Sequence, residues 1–463
     1  MVSSSSEKIK ILIANRGEIA LRIIRACRLM GYSSVLVYSE ADRHSLPVQF
    51  ADEAICIGPA SAAESYLKID RIIAAAELTG AKVIHPGYGF LAENAHFADV
   101  CTACNMIFVG PSSRAIRALG DKAMARSTMK TAGVAIIPGS RSSLESVEEA
   151  KEEAKKLGYP VLLKAVSGGG GKGMRVVECE DEIHDAFHNA SQEAWHAFKD
   201  ASLYMEKFIE NPRHVEIQIM GDKYGRYVHL GDRDCSLQRH HQKLIEETPC
   251  ASLTSKMRRK MCETAIKAAK AVDYVGAGTV EFLVQGHNFY FMEMNTRLQV
   301  EHSVTEMLTG TDIVREQLRV ALGEHLSWRQ SDIHFDGHAI EVRVNAENTD
   351  KNFMPCPGKI GLFLMPGGPG VRVDTHIYTG YVIPPYYDSL LGKIVAKGLN
   401  RELALKRCQT ALREFVVEGV QTTKDFTAEL LSLPEFIDGT YTTNTVDDYL
   451  KKKAEAVKNT KNK

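Results

Sequence analysis

Short apolar segments alternate with helical segments over the first quarter of the chain, and this alternation constrains the fold more than any other feature. Residues 10–14, 35–38 and 83–85 have the length and apolar character of buried strands. Residues 19–30 carry apolar positions at helical spacing. Strands separated by helices form a parallel, doubly wound sheet. We therefore expect an α/β domain with such a sheet over residues 8–111, although the first turn lacks the GxGxxG pattern of dinucleotide sites.

Charge and hydropathy argue against two classes of partner. The formal net charge of the 463 residues is −1, so no overall basic field attracts nucleic acid. No apolar run reaches the ~18 residues of a membrane span, and residues 1–7 lack the basic and apolar regions of a signal peptide. We expect a cytoplasmic protein without a nucleic-acid or membrane partner. The ten cysteines are scattered, and the single CxxC at Cys101 and Cys104 favours packed thiols over a metal or redox site.

The sequence changes character after residue 121, where a run of glycines follows a predicted strand. Lys164 ends that strand, and the run itself comprises Gly168, Gly169, Gly170 and Gly171. The backbone N–H groups of such a run can surround an anion, and Lys164 adds positive charge beside it. The spacing differs from the P-loop pattern. A phosphate cradle of another kind is one interpretation, and a flexible hairpin tip is the alternative.

Two glutamates on a predicted hairpin form a second candidate site. Residues 280–284 and 289–293 are strand-like and flank a short loop, which places Glu281 close to opposite Glu293. Like charges opposed on a sheet are destabilising, and a cation between them turns the repulsion into ligation. Carboxylates suit Mg²⁺ or Mn²⁺. The alternative is a solvated strand face with both side chains in water.

Polar side chains continue this pattern beyond the hairpin at every second position. If the segment stays extended, one face presents an acid, an amide, a cation, an amide and an acid, contributed by Glu293, Asn295, Arg297, Gln299 and Glu301. This series indicates an oxyanion site with its own base. A third cluster, residues 233–243, concentrates cations that could hold phosphates, whereas its lack of aromatic residues argues against nucleic acid.

Several motifs together resemble those of the ATP-grasp enzymes and, within them, the biotin carboxylase family. Residues 159–164 with the glycine run resemble the first ATP-grasp signature, and residues 291–302 resemble the second. Narrower motifs, typical of biotin-dependent carboxylases, occur at residues 13–20, 85–90, 211–216 and 385–389. The resemblance runs from about residue 8 to 450.

The fold that this resemblance implies combines α/β and α+β parts. A Rossmann-like N-terminal domain over 8–120 precedes an ATP-grasp domain over 121–330. Within the latter, a lid bearing the glycine loop spans about 136–208. A C-terminal mixed α+β domain follows over 335–442.

The resemblance also implies site residues, position by position. For ATP they are the phosphate-binding Lys122 and Lys164, the glycines 168–171, the adenine hinge at Glu206, Lys207 and Ile209, the ribose contacts His214 and Gln238, and the phosphate contact His241. Glu281, Glu293 and Asn295 match the Mg²⁺ or Mn²⁺ site. Lys243, Arg297, Gln299 and Val300 match the bicarbonate pocket, Glu301 the general base, and Arg343 the arginine that stabilises the biotin enolate.

The sequence departs from the family pattern at three positions near these residues. Ser303 stands where we expect proline, His240 where arginine is common, and Val166 where the loop usually carries a small residue. Ser303 could loosen the segment that holds Glu301, and the other two could alter nucleotide affinity. None of the three removes a charge that the chemistry needs.

The implied reaction is ATP-dependent carboxylation of biotin with bicarbonate through carboxyphosphate. In this family biotin is attached to a lysine flanked by two methionines on a hairpin, as Met-Lys-Met. The nearest match here, Met129-Lys130-Thr131, lacks the second methionine and lies in a predicted helix. We therefore expect biotin as a substrate on a separate biotin carboxyl carrier protein, with carboxyltransferase subunits as further partners and a homodimeric state. The first half-reaction of acetyl-CoA carboxylase in fatty-acid synthesis is the favoured role. A propionyl-CoA or pyruvate carboxylase subunit, and a catalytically silent ATP-grasp scaffold, are the alternatives.

Overall fold

The N-terminal part of the chain forms a parallel five-stranded sheet. The computed structural model describes residues 8–140, 142–166 and 173–461. The strand order is β3-β2-β1-β4-β5, and every neighbouring pair is parallel. The strands are β1 Lys10–Ile13, β2 Ser33–Ser39, β3 Glu53–Gly58, β4 Val83–His85 and β5 Ile107–Phe108, and the helices are α1 Gly17–Leu29, α2 Leu46–Phe50, α3 Ile69–Thr79, α4 Ala95–Ala103 and α5 Ser113–Gly120.

Alternate residues of β1 contribute to two different cores, as a doubly wound sheet requires. Ile11 and Ile13 pack in the core that contains α1. Leu12 packs on the opposite side, in the core that contains α3 and α4. Because both faces are covered, the strand is apolar at three consecutive positions, Ile11 to Ile13, instead of alternating. The predicted parallel, doubly wound sheet is confirmed.

The middle of the chain, residues 122–321, supplies a small sheet and most of a large one. Its strands are β6 Val161–Ala165, β7 Met174–Val177, β8 Leu203–Lys207, β9 Arg213–Gly221, β10 Tyr227–Arg239, β11 Gln242–Thr248, β12 Gly276–Gln285 and β13 Asn288–Asn295. Its helices are α6 Lys122–Thr131, α7 Val147–Leu157, α8 Ile183–Phe198, α9 Ser255–Lys270, α10 His302–Thr309 and α11 Ile313–Ala321. The order β7-β6-β8 forms the small antiparallel sheet, whose core with α7 and α8 is separate from the others. The glycines 168–171 lie outside the described residues.

The C-terminal part, from residue 338, contributes many short strands and, within its described residues, four α-helices. Its strands are β14 His338–Asn345, β15 Glu347–Asn348, β16 Met354–Pro355, β17 Gly358–Lys359, β18 Phe363–Leu364, β19 Val371–Thr375, β20 Val382–Ile383, β21 Leu390–Gly398 and β22 Val416–Val417. Its helices are α12 Arg401–Glu414, α13 Lys424–Leu430, α14 Pro434–Ile437 and α15 Thr445–Lys461. Within the described residues, no helix is both long and apolar enough to span a membrane.

One antiparallel sheet of eight strands joins the middle and C-terminal parts. Its order is β13-β12-β9-β10-β11-β14-β21-β19. The seam between the two parts is the pairing of β11 with β14, where Glu246 lies opposite Glu341. This continuous sheet places residues of β14 beside residues of β11 that are about a hundred positions earlier in the chain. The seam therefore decides which side chains can meet at the centre of the molecule.

Two buried histidines make the stability of this fold sensitive to acid. Burial lowers the pKa of His85 and of His376 to about 3, with a further lowering from the charges of Arg22 and Arg16 respectively. Below a pH of about 6.5 the unfolded chain binds protons that the folded chain refuses, so stability is present above that pH and is lost as the pH falls towards 3.

We predict that the free energy of unfolding falls by about 1.4 kcal/mol per pH unit for each of these histidines between pH 6.5 and 4. The variant His85→Asn keeps an oxygen that can accept from Gly87, as the His85 ring does now. In urea denaturation it should show a shallower pH dependence than the wild type. The exposed His184→Asn is the matched control and should keep the wild-type slope; equal slopes in all three proteins contradict the prediction.

Candidate active site

A cavity of about 1370 Å³ lies where the three parts of the chain meet. Its lining includes every site residue predicted above that falls within the described part of the chain. These are Lys122, Lys164, Glu206, Lys207, Ile209, His214, Gln238, His241, Lys243, Glu281, Glu293, Asn295, Arg297, Gln299, Val300, Glu301 and Arg343. The glycines 168–171 again fall outside that part. Residues that are more than 200 positions apart in the sequence thus face one space.

The carboxylate of Glu301 sits between two cations at the floor of this cavity. Lys243 from β11 donates to one oxygen at 2.5 Å, and Arg343 from β14 donates to the other at 2.8 Å. Glu301 is 2 % exposed. Burial by itself raises the pKa of Glu301, but Lys243 and Arg343 outweigh it and hold the pKa well below its usual range. The group is therefore ionised at neutral pH, as a proton acceptor must be.

The extended segment predicted over 293–301 ends earlier than expected. Strand β13 stops at Asn295. Residues 296–301 then form an irregular segment that ends in a turn and leads into α10, with Glu301 at the N-cap position. The prediction of one continuous strand face was wrong beyond Asn295 because the chain has to turn to start the helix. The side chains of Arg297, Gln299 and Glu301 still line the cavity.

Glu281 and Glu293 lie opposite each other in the β12–β13 ladder, as the hairpin predicted. Glu281 accepts hydrogen bonds from Asn295 and Gln299, both at 2.7 Å, and pairs with His214 at 2.9 Å. Glu293 faces the open cavity. Desolvation of its carboxylate is the main cause that raises the pKa of Glu293, and the negative charge of Glu281 raises it further. Two carboxylates and an amide oxygen provide hard oxygen donors, and a divalent cation between the carboxylates relieves their repulsion, so the residues fit Mg²⁺ or Mn²⁺.

Arg297 is held by a residue that the sequence did not reveal. Glu93, in the loop after β4, accepts from the Arg297 guanidinium at 3.0 Å and from the Thr296 backbone N–H at 3.0 Å. The two positions are 204 residues apart. Glu93 follows the motif at 85–90, and that proximity is the one signal that could have indicated it.

The part of the cavity beside β8 carries a second cation–carboxylate cluster. Glu206 on β8 pairs with Lys164 at 2.5 Å and with Arg126 on α6, which also donates to the Ile137 carbonyl. Lys207 donates to two carbonyl oxygens of the turn before β6. Arg126 was not predicted. Its place four residues after Lys122, one helical turn away, is the signal that sequence reasoning could have used.

Arg233, at the start of the basic segment 233–243, bonds protein groups and not the phosphates that the sequence analysis considered for this segment. It is fully buried and donates to Glu216, Gln218, Thr305, Thr279 and Gln299. The guanidinium therefore ties β9, β10, β12 and α10 together beneath the cavity. Only the later residues of the segment, Gln238, His241 and Lys243 among them, face the cavity.

Three family models match consecutive parts of the chain. The biotin carboxylase N-terminal domain matches residues 7–116, the carbamoyl-phosphate synthase L chain ATP-binding domain matches residues 121–329, and the biotin carboxylase C-terminal domain matches residues 341–448. A biotin carboxylase of Bacillus subtilis is 55 % identical over 442 residues, which cover 95 % of this chain and 98 % of that protein. The chain belongs to the biotin carboxylase family.

Solved structures of this family have the same fold as the chain. The structure of a β-γ-ATP complex of the biotin carboxylase of Campylobacter jejuni has a TM-score of 0.90 at 50 % identity. The match covers 96 % of this chain and 99 % of that protein's chain. A second similar structure is the biotin carboxylase domain dimer of the 2-oxoglutarate carboxylase of Hydrogenobacter thermophilus, in complex with MgADP, ADP and bicarbonate. It has a TM-score of 0.89 at 47 % identity, and the match covers 95 % of this chain and 97 % of that chain. The chain is therefore a ligase that carboxylates biotin with ATP and bicarbonate.

We predict that Glu293→Gln lowers kcat by about 10²-fold or more, because it removes a charge next to the cation that offsets phosphate charge. The concentration of Mg²⁺ that gives half-maximal rate should also rise. Glu402→Gln, on the exposed face of α12, is the matched control. Near-normal turnover of Glu293→Gln at saturating Mg²⁺ contradicts the assignment of Glu293 as a ligand of the cation.

Proposed function

We propose that Glu301 is the general base that activates bicarbonate. The observation that carries this assignment is the buried Glu301 carboxylate held by Lys243 at 2.5 Å and Arg343 at 2.8 Å, beside Arg297 and Gln299 in the cavity. An ionised carboxylate can take the proton of bicarbonate, and the neighbouring cations hold the resulting dianion. A bicarbonate oxygen then attacks the γ-phosphorus of ATP, the bond to ADP breaks, and carboxyphosphate forms.

The nucleotide is bound by groups at the opposite end of the cavity. Lys122 and Lys164 offset phosphate charge, with the glycines 168–171 and His241 as further phosphate contacts. Adenine binds at Glu206, Lys207 and Ile209, and ribose at His214 and Gln238. For adenine to bind, Glu206 has to share its carboxylate, which now bonds Lys164 and Arg126.

Glu281, Glu293 and Asn295 hold the divalent cation in this proposal. When bound, the cation would offset the negative charge that builds up on the phosphate oxygens during phosphoryl transfer. The chain's own contribution is to keep Glu281 ionised. Burial raises the pKa of Glu281, but Lys243 and His214 lower it by more than burial raises it. The net shift of the pKa is therefore downward. His214 also orients Glu281 through their 2.9 Å contact.

The second half of the reaction takes place at Arg343. Carboxyphosphate breaks into CO₂ and phosphate, the phosphate takes the proton from the ureido nitrogen of biotin, and the enolate attacks CO₂. The Arg343 guanidinium stabilises the enolate oxygen. Enclosure of the cavity excludes water from the short-lived intermediate.

After the reaction on biotin, the carboxyl group is handed to partner proteins. We propose a biotin carboxyl carrier protein as the biotin donor and carboxyltransferase subunits as the next catalysts, with acetyl-CoA as acceptor, a homodimeric state and a cytoplasmic location. One similar structure is a domain of a 2-oxoglutarate carboxylase, so a keto acid is the alternative acceptor. The domain limits 8–120, 121–330 and 335–442 and the lid at 136–208 remain part of this proposal.

We predict that two variants separate the half-reactions. Glu301→Gln should lose both bicarbonate-dependent ATP cleavage and biotin carboxylation, since both follow from the attack of bicarbonate. Arg343→Ser should keep much of the ATP cleavage, because Lys243 still pairs with Glu301, while losing carboxylation, so the ratio of ATP cleaved to biotin carboxylated rises. Arg239→Ser is the matched arginine control, because Arg239 bonds Asn352 instead of Glu301.

The alternative role of Arg343 is that of a structural ion pair. It donates to Glu246 at 2.6 Å as well as to Glu301. In that case Arg343→Ser lowers the Tm and both activities together. An unchanged ratio in Arg343→Ser, at any overall rate, removes Arg343 from the catalytic residues, and retained activity in Glu301→Gln removes Glu301.

A further inference from the structure

The segment that carries Glu301 is held from the C-terminal strands at three nearby positions. The contacts are Lys393 Nζ to the Val300 carbonyl oxygen at 2.5 Å, Arg343 to the Glu301 carboxylate at 2.8 Å, and Ser303 Oγ to Glu341 Oε2 at 2.9 Å. The first two involve groups already placed in the site. The third, between Ser303 and Glu341, has no part in the chemistry proposed above.

Ser303 supplies a hydrogen bond that proline at the same position cannot make. It is the second residue of α10 and is fully buried. The first turn of a helix accepts proline without loss of an internal hydrogen bond, and this explains why the family pattern tolerates it there. Proline has no side-chain donor. The contact to Glu341 therefore arises from the serine of this chain.

Glu341 lies within a set of charged groups that border the site. It faces Glu246 on the paired strand β11, Lys393 on β21, Arg343 two positions along its own strand, and Ser303 on α10. Its Oε1 has no hydrogen-bond partner among the described residues. Burial is the main cause that raises the pKa of Glu341 to about 8, with Glu246 adding to it, while Lys393, Arg343 and Ser303 oppose the shift.

We propose that Ser303 and Glu341 form a positioning pair for the base, holding the first turn of α10 against β14. This inference rests on the proposed role of Glu301. Glu301 is the N-cap residue of α10, and its carbonyl accepts from the backbone N–H of Val304. Movement of the first turn therefore moves the base relative to Lys243. A misplacement of ~1 Å can cost on the order of 10²-fold in rate.

The first test is the removal of the hydroxyl group. Ser303→Ala should lower kcat for bicarbonate-dependent ATP cleavage by about tenfold, because loss of the hydrogen bond partly misplaces the base. The KM for ATP should stay near the wild-type value, because the proposed nucleotide contacts lie on other elements. Thr309→Ala is the matched control. It removes a hydroxyl from the same helix, where Thr309 bonds the Thr305 carbonyl at 2.8 Å, and it should leave kcat unchanged.

The second test is the pH profile of kcat, which a purely structural role does not alter. A hydrogen bond to an ionised acceptor is stronger than one to a neutral acceptor. The pair should therefore tighten, and kcat should rise, as the pH passes upward through about 8. Glu341→Gln keeps the shape and an accepting oxygen, so it should match the wild type at pH 7 and lack the rise. Ser303→Ala should lack the rise as well.

The outcomes distinguish this inference from the function on which it rests. If Glu301→Gln is inactive while Ser303→Ala and Glu341→Gln reproduce the wild-type kcat and pH profile, the positioning pair is overturned and the base stands. If Thr309→Ala lowers kcat as much as Ser303→Ala, the effect is general loosening of α10 and the pair is also overturned. If Glu301→Gln remains active, the proposed base itself fails.

Discussion

The pairing of the Glu301 carboxylate with Lys243 and Arg343 is the interaction on which the site depends. A carboxylate that is 2 % exposed needs cationic partners, because an unpaired buried charge costs several kcal/mol. The two partners come from β11 and β14, which belong to different parts of the chain. The antiparallel register that joins these strands is therefore a requirement of the chemistry as well as of the fold.

Further buried ion pairs fasten the N-terminal part to the same centre. Arg22 on α1 pairs with Glu306 on α10 at 2.8 Å, and Arg372 on β19 pairs with the other oxygen of Glu306 at 2.8 Å. Glu306 thus connects all three parts one turn after the base. Together with the contact of Glu93 to Arg297, these pairs tie the N-terminal part of the chain to the elements that carry the site residues.

The sequence predicted local and paired features well and long-range contacts poorly. The hairpin loop brought Glu281 to within one position of Glu293, because a short loop fixes the register of its two strands. A register shift between Glu281 and Phe282 then sets Glu281 directly opposite Glu293. Periodicity indicates which face a residue occupies but not which strand lies next to it. The continuation of the sheet from β11 to β14, the contact of Glu93 with Arg297 and the bond of Ser303 to Glu341 were therefore not predictable. The turn after Asn295 was missed for a similar reason, since alternation alone does not show where a strand stops.

The most direct test of the account follows the oxygen atoms of bicarbonate. Short incubations with ¹⁸O-labelled bicarbonate and ATP, analysed by mass spectrometry of the released phosphate, report which nucleophile attacks the γ-phosphorus. If bicarbonate activated by Glu301 forms carboxyphosphate, each phosphate should carry one labelled oxygen. Any residual phosphate released by Glu301→Gln should carry none, since water is then the attacking group. Unlabelled phosphate from the wild-type protein during active biotin carboxylation would contradict the account.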